Sequence, residues 1–343
     1  MELEQQFLSL LGIVEGLQRR VYQLEEENKL LIRGQKQMLE WWEQNQQDNL
    51  NFQENAIYEL YDGMKAQLDG FFPKILPGES AVEEIIAHGK SLARFGDGEF
   101  AAIAGRIRHR FQTEIEENLG ERLKEVLQSE DENLLVGIAD NYGSLEKYTE
   151  QARREIRCYL NPQVRREHLA LLDSKKVYYD AYVTRPYVMY QDNQTDAPGK
   201  RFKNLKRIWE DRECVLVEGC FTGLGVDNDL FDNARSIQRI LGPAENAFAR
   251  YPEILEACKN QNKEALFLLA LGPTATVLAS DLCKAGYQAV DIGHLDLEYE
   301  WFLKGEGCRT LVTGKYNNEI GEEQDLSPIE NEDYRSQIIA DFS

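Results

Sequence analysis

From Leu3 onward, apolar residues recur alternately four and three places apart: Leu3, Phe7, Leu10, Val14, Leu17, Val21 and Leu24, then Leu31 and Met38. A heptad seam of this kind commits the first part of the chain to a long helix with an apolar row that needs a partner. In this register Leu3, Leu10, Leu17, Leu24 and Leu31 take d positions, while Phe7, Val14, Val21, Asn28 and Gln35 take a positions. β-Branched a with Leu d favours two strands. A lone Asn at a is tolerated where it meets its own copy, so Asn28 points to a parallel, in-register homodimer through residues 1–40. Arg20 at g can also face Glu25 at e of the partner. The alternative is that the helix packs on its own chain, and Leu11, Gly12, Ile13 and Gly16 do blur the seam.

The charge balance narrows the partners. Sixty acidic against 39 basic residues give a formal charge of -21, which opposes any general attraction to nucleic acid or anionic lipid. An anionic ligand would need a local metal ion or a few Arg and Lys residues to reverse the field. The six cysteines, Cys158, Cys214, Cys220, Cys258, Cys283 and Cys308, form no C-x-x-C pair and read as reduced and mostly buried. The start, Met-Glu-Leu-Glu, lacks a signal peptide's basic and apolar regions, and no run approaches a membrane span, so a cytoplasmic protein with no membrane span is expected.

Helical, polar sequence continues past Trp41 and Trp42 toward Tyr61, after which Gly70, Pro73, Pro77 and Gly78 break it. The expected organisation is a coiled-coil stalk over 1–62, a linker over 63–76 and a folded domain over 77–335. In that domain short apolar runs alternate with amphipathic stretches, the pattern of a mainly parallel sheet flanked by helices. Strands are expected at Ser91–Phe95, Leu134–Ala139, Val177–Ala181, Cys214–Glu218, Ala265–Leu271 and Gln288–Ile292. Helices are expected near Val82–His88, Glu114–Leu127, Pro162–Leu172, Phe202–Trp209, Leu230–Ile240, Pro252–Lys259 and Thr274–Ala285. The fold class is α/β, Rossmann-like, behind an N-terminal α-helical coiled coil. Ligands in such sheets sit outside the carboxyl ends of the strands, so functional residues should follow these runs.

The sharpest such segment is Arg94-Phe95-Gly96-Asp97-Gly98-Glu99-Phe100. Two carboxylates one residue apart, between glycines that allow a tight turn, can offer oxygen ligands to a hard divalent cation; the bland alternative is a polar turn after a strand. The segment resembles the metal-binding D-x-E element of the bacterial GT-D family of glycosyltransferases. Three more segments match that family in order: Val217-Glu218-Gly219 with Leu224 to Asp232; Leu271 to Ala275; and Asp291 to Trp301. Together the four span about residues 80 to 320, leaving the stalk outside, and Cys220-Phe221-Thr222 departs from the polar, basic loop expected there.

The resemblance implies a Rossmann-like GT-D domain and a hexosyltransferase that uses manganese, or magnesium, on Asp97 and Glu99. The ion would bridge the diphosphate of a nucleotide sugar, most simply a UDP-sugar, and the acceptor would be a bacterial glycan, glycoprotein or polysaccharide. Arg94, Phe95 and Gly96 are expected beside that donor. After the Cys214 run, Gly219, Gly223 and Gly225 form either a phosphate cradle or a plain loop. Asn228 and Arg235 follow them, Arg235 one turn into the next expected helix, where it either reaches phosphate or pairs with Asp232. Gly272, Pro273 and Thr274 open a helix at the sheet edge, with Thr274 either a ligand contact or a cap. Arg185 and Tyr187 either hold the donor or neutralise and fill the core. Lys315 to Glu319 either closes over the donor or caps the fold. Among His294, Asp296, Glu298 and Glu300, Glu300 is the first choice for the base that takes the acceptor's proton. Two rivals remain: a metal-dependent hydrolase or nucleotidyltransferase, and a non-catalytic assembly protein.

Overall fold

The computed structural model describes residues 2–60, 72–107, 112–116, 118–317 and 329–343. The chain divides into two compact units, Met1–Glu54 and Asn55–Ser343. Helix α1 (Glu2–Leu60) makes up the first and lends its last turns to the second. It is uninterrupted over 59 residues, as the absence of Pro from that stretch allows. Most of the linker expected at 63–76 lies outside the described residues.

The second unit runs through β1 (Lys74–Leu76), α2 (Gly78–His88), β2 (Ser91–Phe95), α3 (Asp97–Ile103), α4 (Leu119–Leu127), β3 (Leu134–Ile138), α5 (Glu150–Tyr159), α6 (Pro162–Leu171) and β4 (Val177–Asp180). It continues through α7 (Ala197–Lys206), β5 (Glu213–Gly219), β6 (Ser236–Gly242), α8 (Tyr251–Lys259), β7 (Leu266–Ala270), α9 (Pro273–Lys284), β8 (Gln288–Asp291), α10 (Leu295–Lys304), α11 (Glu332–Gln337) and β9 (Ile338–Asp341). The strands form one nine-stranded sheet in the order β1-β4-β3-β2-β8-β7-β5-β6-β9. Every paired neighbour is parallel.

The apolar runs read as strands because both faces of the sheet are covered. Ala93, Phe95, Val215, Val217, Phe267 and Leu269 face one buried cluster, while Leu92, Leu216, Leu266 and Leu268 alternate into the other. All six expected strands are present. Two strands at the sheet's edges, β1 and β9, come from residues on either side of the 77–335 span. The helix expected over Leu230–Ile240 is absent. Leu230 and Phe231 sit in a turn, with the Leu230 N–H on Asn228 Oδ1 (3.0 Å) and Trp209 Nε1–H on the Leu230 carbonyl (3.0 Å). Ile237 and Ile240 belong to β6, so an apolar spacing that mimicked a helix is a turn followed by a β-branched strand.

The six cysteines are free; Cys214, Cys258 and Cys283 are buried, Cys220 is half-buried, and Cys158 and Cys308 are exposed. No described helix is long and apolar enough to cross a membrane.

One buried ion pair holds the loop after β5. Arg239 donates to Glu218 Oε1 (2.5 Å) and to the Leu224 carbonyl (2.9 Å), and Glu218 accepts the Leu224 N–H (2.7 Å). Glu218 is wholly buried, and burial pushes its carboxyl above the usual range while Arg239 opposes that shift. Removing the cation alone strands a buried acid. Arg239→Met should lose about 3–5 kcal/mol in urea denaturation, whereas the Glu218→Gln, Arg239→Met double variant should recover most of it. A single-variant loss near zero would show that the loop is held by something else.

Candidate active site

The two halves of the sheet meet between β2 and β8: β3, β4 and β1 lie beyond β2 on one side, and β7, β5, β6 and β9 lie beyond β8 on the other. Carboxyl ends separate at such a point and leave a crevice. Only Leu92↔Val290 is in register across this join, against five pairs between β2 and β3. Where the ladder stops, a side chain takes over. Arg94 donates from Nε to the Asp291 carbonyl (2.9 Å), from Nη2 to Asp291 Oδ1 (3.0 Å) and from Nη1 to the Ala181 carbonyl (3.3 Å). Thr276 of α9 donates to the Arg94 carbonyl (2.9 Å). Gly293 makes room: its φ is +47° and an added Cβ would lie 1.9 Å from Arg94 Nη2.

The crevice above this clamp is a cleft of about 610 Å³. Its floor carries Gly96, Asp97 and Glu99 from the amino end of α3, and Gly272 and Pro273 from the amino end of α9. Glu99 Oε2 accepts the Gly96 N–H (2.7 Å), so Glu99 closes the amino end of its own helix. The amino end of α9 has no side-chain cap. Gly272 turns there with φ +53°, a conformation suited to glycine, and Pro273 opens the helix.

Behind Asp97 stands a histidine that no motif announced. The ring of His168 stacks on Phe100 (centroids 3.8 Å apart), its Nδ1 meets Tyr142 Oη at 2.9 Å, and its Nε2 meets Tyr159 Oη at 2.9 Å. Tyr159 Oη also reaches the Asp97 carbonyl (3.5 Å). Burial pushes the His168 imidazole down to about 4, so it is neutral near pH 7. Asp180, at the end of β4, accepts the N–H groups of Asp140 (3.2 Å) and Tyr182 (2.9 Å), and burial raises it to about 6.

A profile of the family described as Glycosyltransferase GT-D fold matches residues 92–320. The chain belongs to this family. It is 36% identical over 274 residues to the probable glycosyl transferase Gly of Streptococcus gordonii, covering 78% of this chain and 39% of that protein. It is 36% identical over 265 residues to the glycosyltransferase GlyD of Streptococcus pneumoniae serotype 4, covering 76% of this chain and 32% of that protein. The chain thus spans about a third to two-fifths of the length of these relatives. Among solved structures it resembles a new glycosyltransferase (DUF1792) from Streptococcus sanguinis, with TM-score 0.74, 34% identity, and 79% of this chain and 100% of that one covered. It also resembles the domain of unknown function 1792 described as having a distinct glycosyltransferase fold, with TM-score 0.71, 33% identity, and 80% and 97% covered.

Within this GT-D chain, the cleft brings together ten of the residues singled out from sequence: Arg94, Phe95, Gly96, Asp97, Glu99, Arg185, Gly272, Pro273, His294 and Asp296. Arg185 Nη2 lies 3.1 Å from His294 Nδ1, across the rim. Six others serve elsewhere. Glu298 is wholly buried and accepts the N–H groups of Tyr187 (3.0 Å) and Val188 (3.1 Å). Glu300 takes hydrogen bonds from Asn228 Nδ2 (2.7 Å) and Lys315 Nζ (2.9 Å), so the first-choice base lies inside an ion cluster and does not line the cleft. Asn228 spans Glu300 and Asp296, and the Gly225 N–H, offered to phosphate by the sequence argument, donates to Asp296 Oδ1 (2.9 Å). Arg235 precedes β6, away from the carboxyl edge, and pairs with Asp211 (3.1 Å). Thr274 is buried and lies outside the cleft lining.

Of the last segment, Lys315 binds Asp296 Oδ2 (2.7 Å), Tyr316 lines the cleft, Asn317 is wholly buried, and Asn318 and Glu319 lie outside the described residues. The cleft wall also includes Asn141, Tyr142, Tyr182, Glu155 and Arg309, which sequence reasoning missed. Asn141 and Tyr142 lie within four residues of the end of β3, so the carboxyl-edge rule could have found them. His168 sits inside α6 and carries no comparable signal.

Two outcomes follow from this geometry. Gly293→Ala should cost about 1–3 kcal/mol of unfolding free energy, since the Cβ and the positive φ both oppose the clamp, and a change within error would disprove that crowding. The second concerns pH. Between about 4 and the ordinary 6.5 of histidine, the unfolded chain takes up a proton that folded His168 refuses, so this group makes stability rise with pH. For Asp180, raised from 3.8 to about 6, the folded chain keeps a proton that the unfolded chain has lost, so stability falls with pH there. His168→Asn removes the first effect, so its stability relative to the parent should decline steadily from about pH 4 to 6.5 in urea titrations.

Proposed function

We propose that this chain transfers a sugar from a nucleotide sugar, a UDP-sugar by its family resemblance, to a hydroxyl of a bacterial glycan, glycoprotein or polysaccharide. The observation that carries this reading is the meeting, in one cleft at the β2–β8 join, of the Asp97/Glu99 pair with the uncapped amino end of α9. An anionic diphosphate is favoured at a helix amino end. The net charge of -21 leaves it few other places.

A divalent ion, manganese or magnesium, would be held by Asp97 and by Glu99. Among the described residues no group of three or more His, Cys, Asp or Glu side chains is placed to hold a metal. Glu99 already commits Oε2 to Gly96. A donor set this small fits an ion that completes its shell with substrate phosphates and water. Such an ion supplies positive charge against the negative charge that grows on the leaving diphosphate.

The chain's own residues do the rest. The anomeric carbon gains a bond to the acceptor oxygen and loses its bond to the diphosphate, which leaves with the electron pair. The acceptor's proton passes to His294 or Asp296, the two of the four expected bases that line the cleft; His294 faces Arg185, whereas Asp296 would take the proton from within its ion pair with Lys315. Arg185, beside His294, contributes fixed positive charge at the rim.

With a panel of UDP-sugars and manganese, UDP release should rise with added acceptor. Asp97→Ala should lower that release by about 100-fold or more. The same variant should lose the metal-dependent rise in melting temperature that the best donor produces. Release of UMP would instead mark a hydrolase or nucleotidyltransferase, and no metal-dependent UDP binding by calorimetry would mark a non-catalytic protein. Asp296→Asn and His294→Gln compared on the same donor distinguish the two bases.

A further inference from the structure

We propose that residues 3–38 of α1 pair in parallel and in register with the same stretch of a second copy of this chain, making the protein a homodimer with two clefts. The dimer does not depend on the reaction assigned to the cleft. The structure supplies what the seam alone lacked, namely an unbroken helix with that row left open. Leu3, Phe7, Leu10, Leu17, Leu31 and Met38 are each 60% exposed or more, and Val14, Val21 and Leu24 are exposed as well. At 1.5 Å per residue the seam is roughly 50 Å long. An apolar row of that length on a solvated helix marks an interaction surface. Its 3.5-residue spacing suits a supercoiled partner helix rather than a globular one, which would follow 3.6.

Two features select a second copy as the occupant. Asn28, at an a position, is satisfied when it faces another Asn28, and this occurs in a parallel pair without stagger. An antiparallel pair over the same stretch would set it against the region of Leu10 and Val14. The flanking positions agree. In the parallel pair Arg20 at g faces Glu25 at e. The other facing g and e residues are Gln6 with Leu11, Ile13 with Gln18, Glu27 with Ile32, and Gly34 with Leu39, so no like charges oppose each other. Past Trp42 the next seam positions are Asn45 and Asn49, where an apolar interface ends.

From Asn55 on, the last turns of the same helix belong to the second unit. Arg157 of α5 donates to both oxygens of Glu59 (2.8 and 2.9 Å), and Arg165 of α6 donates to Asn55 Oδ1 (2.9 Å) with its guanidinium 3.8 Å over the Tyr58 ring. α5 also lines the cleft, through Ala152, Glu155 and Ile156. Pairing of the seam therefore tethers two clefts to one assembly, and an acceptor with repeated sites would meet both at raised effective concentration.

Sedimentation equilibrium and mass photometry on the full chain test this. The expected mass is twice 39.5 kDa. The Leu17→Asp, Leu24→Asp double variant should raise the dimer dissociation constant at least 100-fold and run as a monomer, with an unchanged melting transition for the cleft-bearing unit. Val21→Cys should form a disulfide-linked dimer under mild oxidation, well above the background from exposed Cys158 and Cys308 in the parent chain. A parent chain that is monomeric at tens of micromolar overturns the proposal, as does a trimer or tetramer mass. A dimer that survives the double variant places the interface elsewhere and also overturns it. Failure of Val21→Cys to exceed the parent background overturns the parallel, in-register arrangement.

Discussion

The geometry of the cleft depends on Arg94 spanning β2 and β8. Parallel strands that part company at the join between two halves of a sheet lose their ladder hydrogen bonds, and the exposed backbone there must find other partners. Arg94 fills that role from a half-buried position, taking the Asp291 carbonyl and carboxylate together and reaching Ala181 beyond. The guanidinium's planar, many-donor shape makes this possible; a lysine would satisfy one acceptor well and leave the others short. With the split held open at a set width, the amino ends of α3 and α9 face each other, and Gly96, Asp97, Gly272 and Pro273 end on one surface.

A second layer of ions surrounds this opening and explains why an acidic chain can bury so many carboxylates. Asp296, Glu300, Lys315 and Asn228 join α10 to the loop after β5 and to the segment that follows α10. Glu298 receives two backbone N–H groups from the loop that carries Arg185. Buried carboxylates of this kind are tolerated because each is met by a cation or by N–H groups, and their value lies in fixing loop positions. The acidic run from Asp291 to Glu300 is thus mostly framework, and Asp291, His294 and Asp296 are members of it that also line the cleft. The neutral His168, stacked on Phe100 and held between two tyrosines, plays the same supporting part beneath Asp97.

What the sequence determined by itself was what short-range physics controls. Continuous apolar runs bounded by turn residues announced six strands, a glycine-flanked turn at a strand's end announced where Asp97 and Glu99 leave the sheet for the cleft, and heptad spacing announced an unbroken α1 with Asn28 on its seam. Each is a local pattern whose period or steric demand does not depend on what lies across the fold.

The tertiary structure alone decided which of the marked residues share a space. Asn228, Gly225 and Glu300 looked like chemistry because their neighbours did, yet pairing with Lys315 and Asp296 from distant segments drew them out of the cleft. The stretch from Leu230 to Ile240 carries a helix-like spacing, but β5 and β9 offered β6 a ladder on both edges, and that long-range pairing outweighed the local tendency. His168 entered the site because α6 packs on α3. Contacts between segments far apart in the chain leave no periodic trace in sequence, so burial and pairing, rather than residue type, assigned these side chains their work.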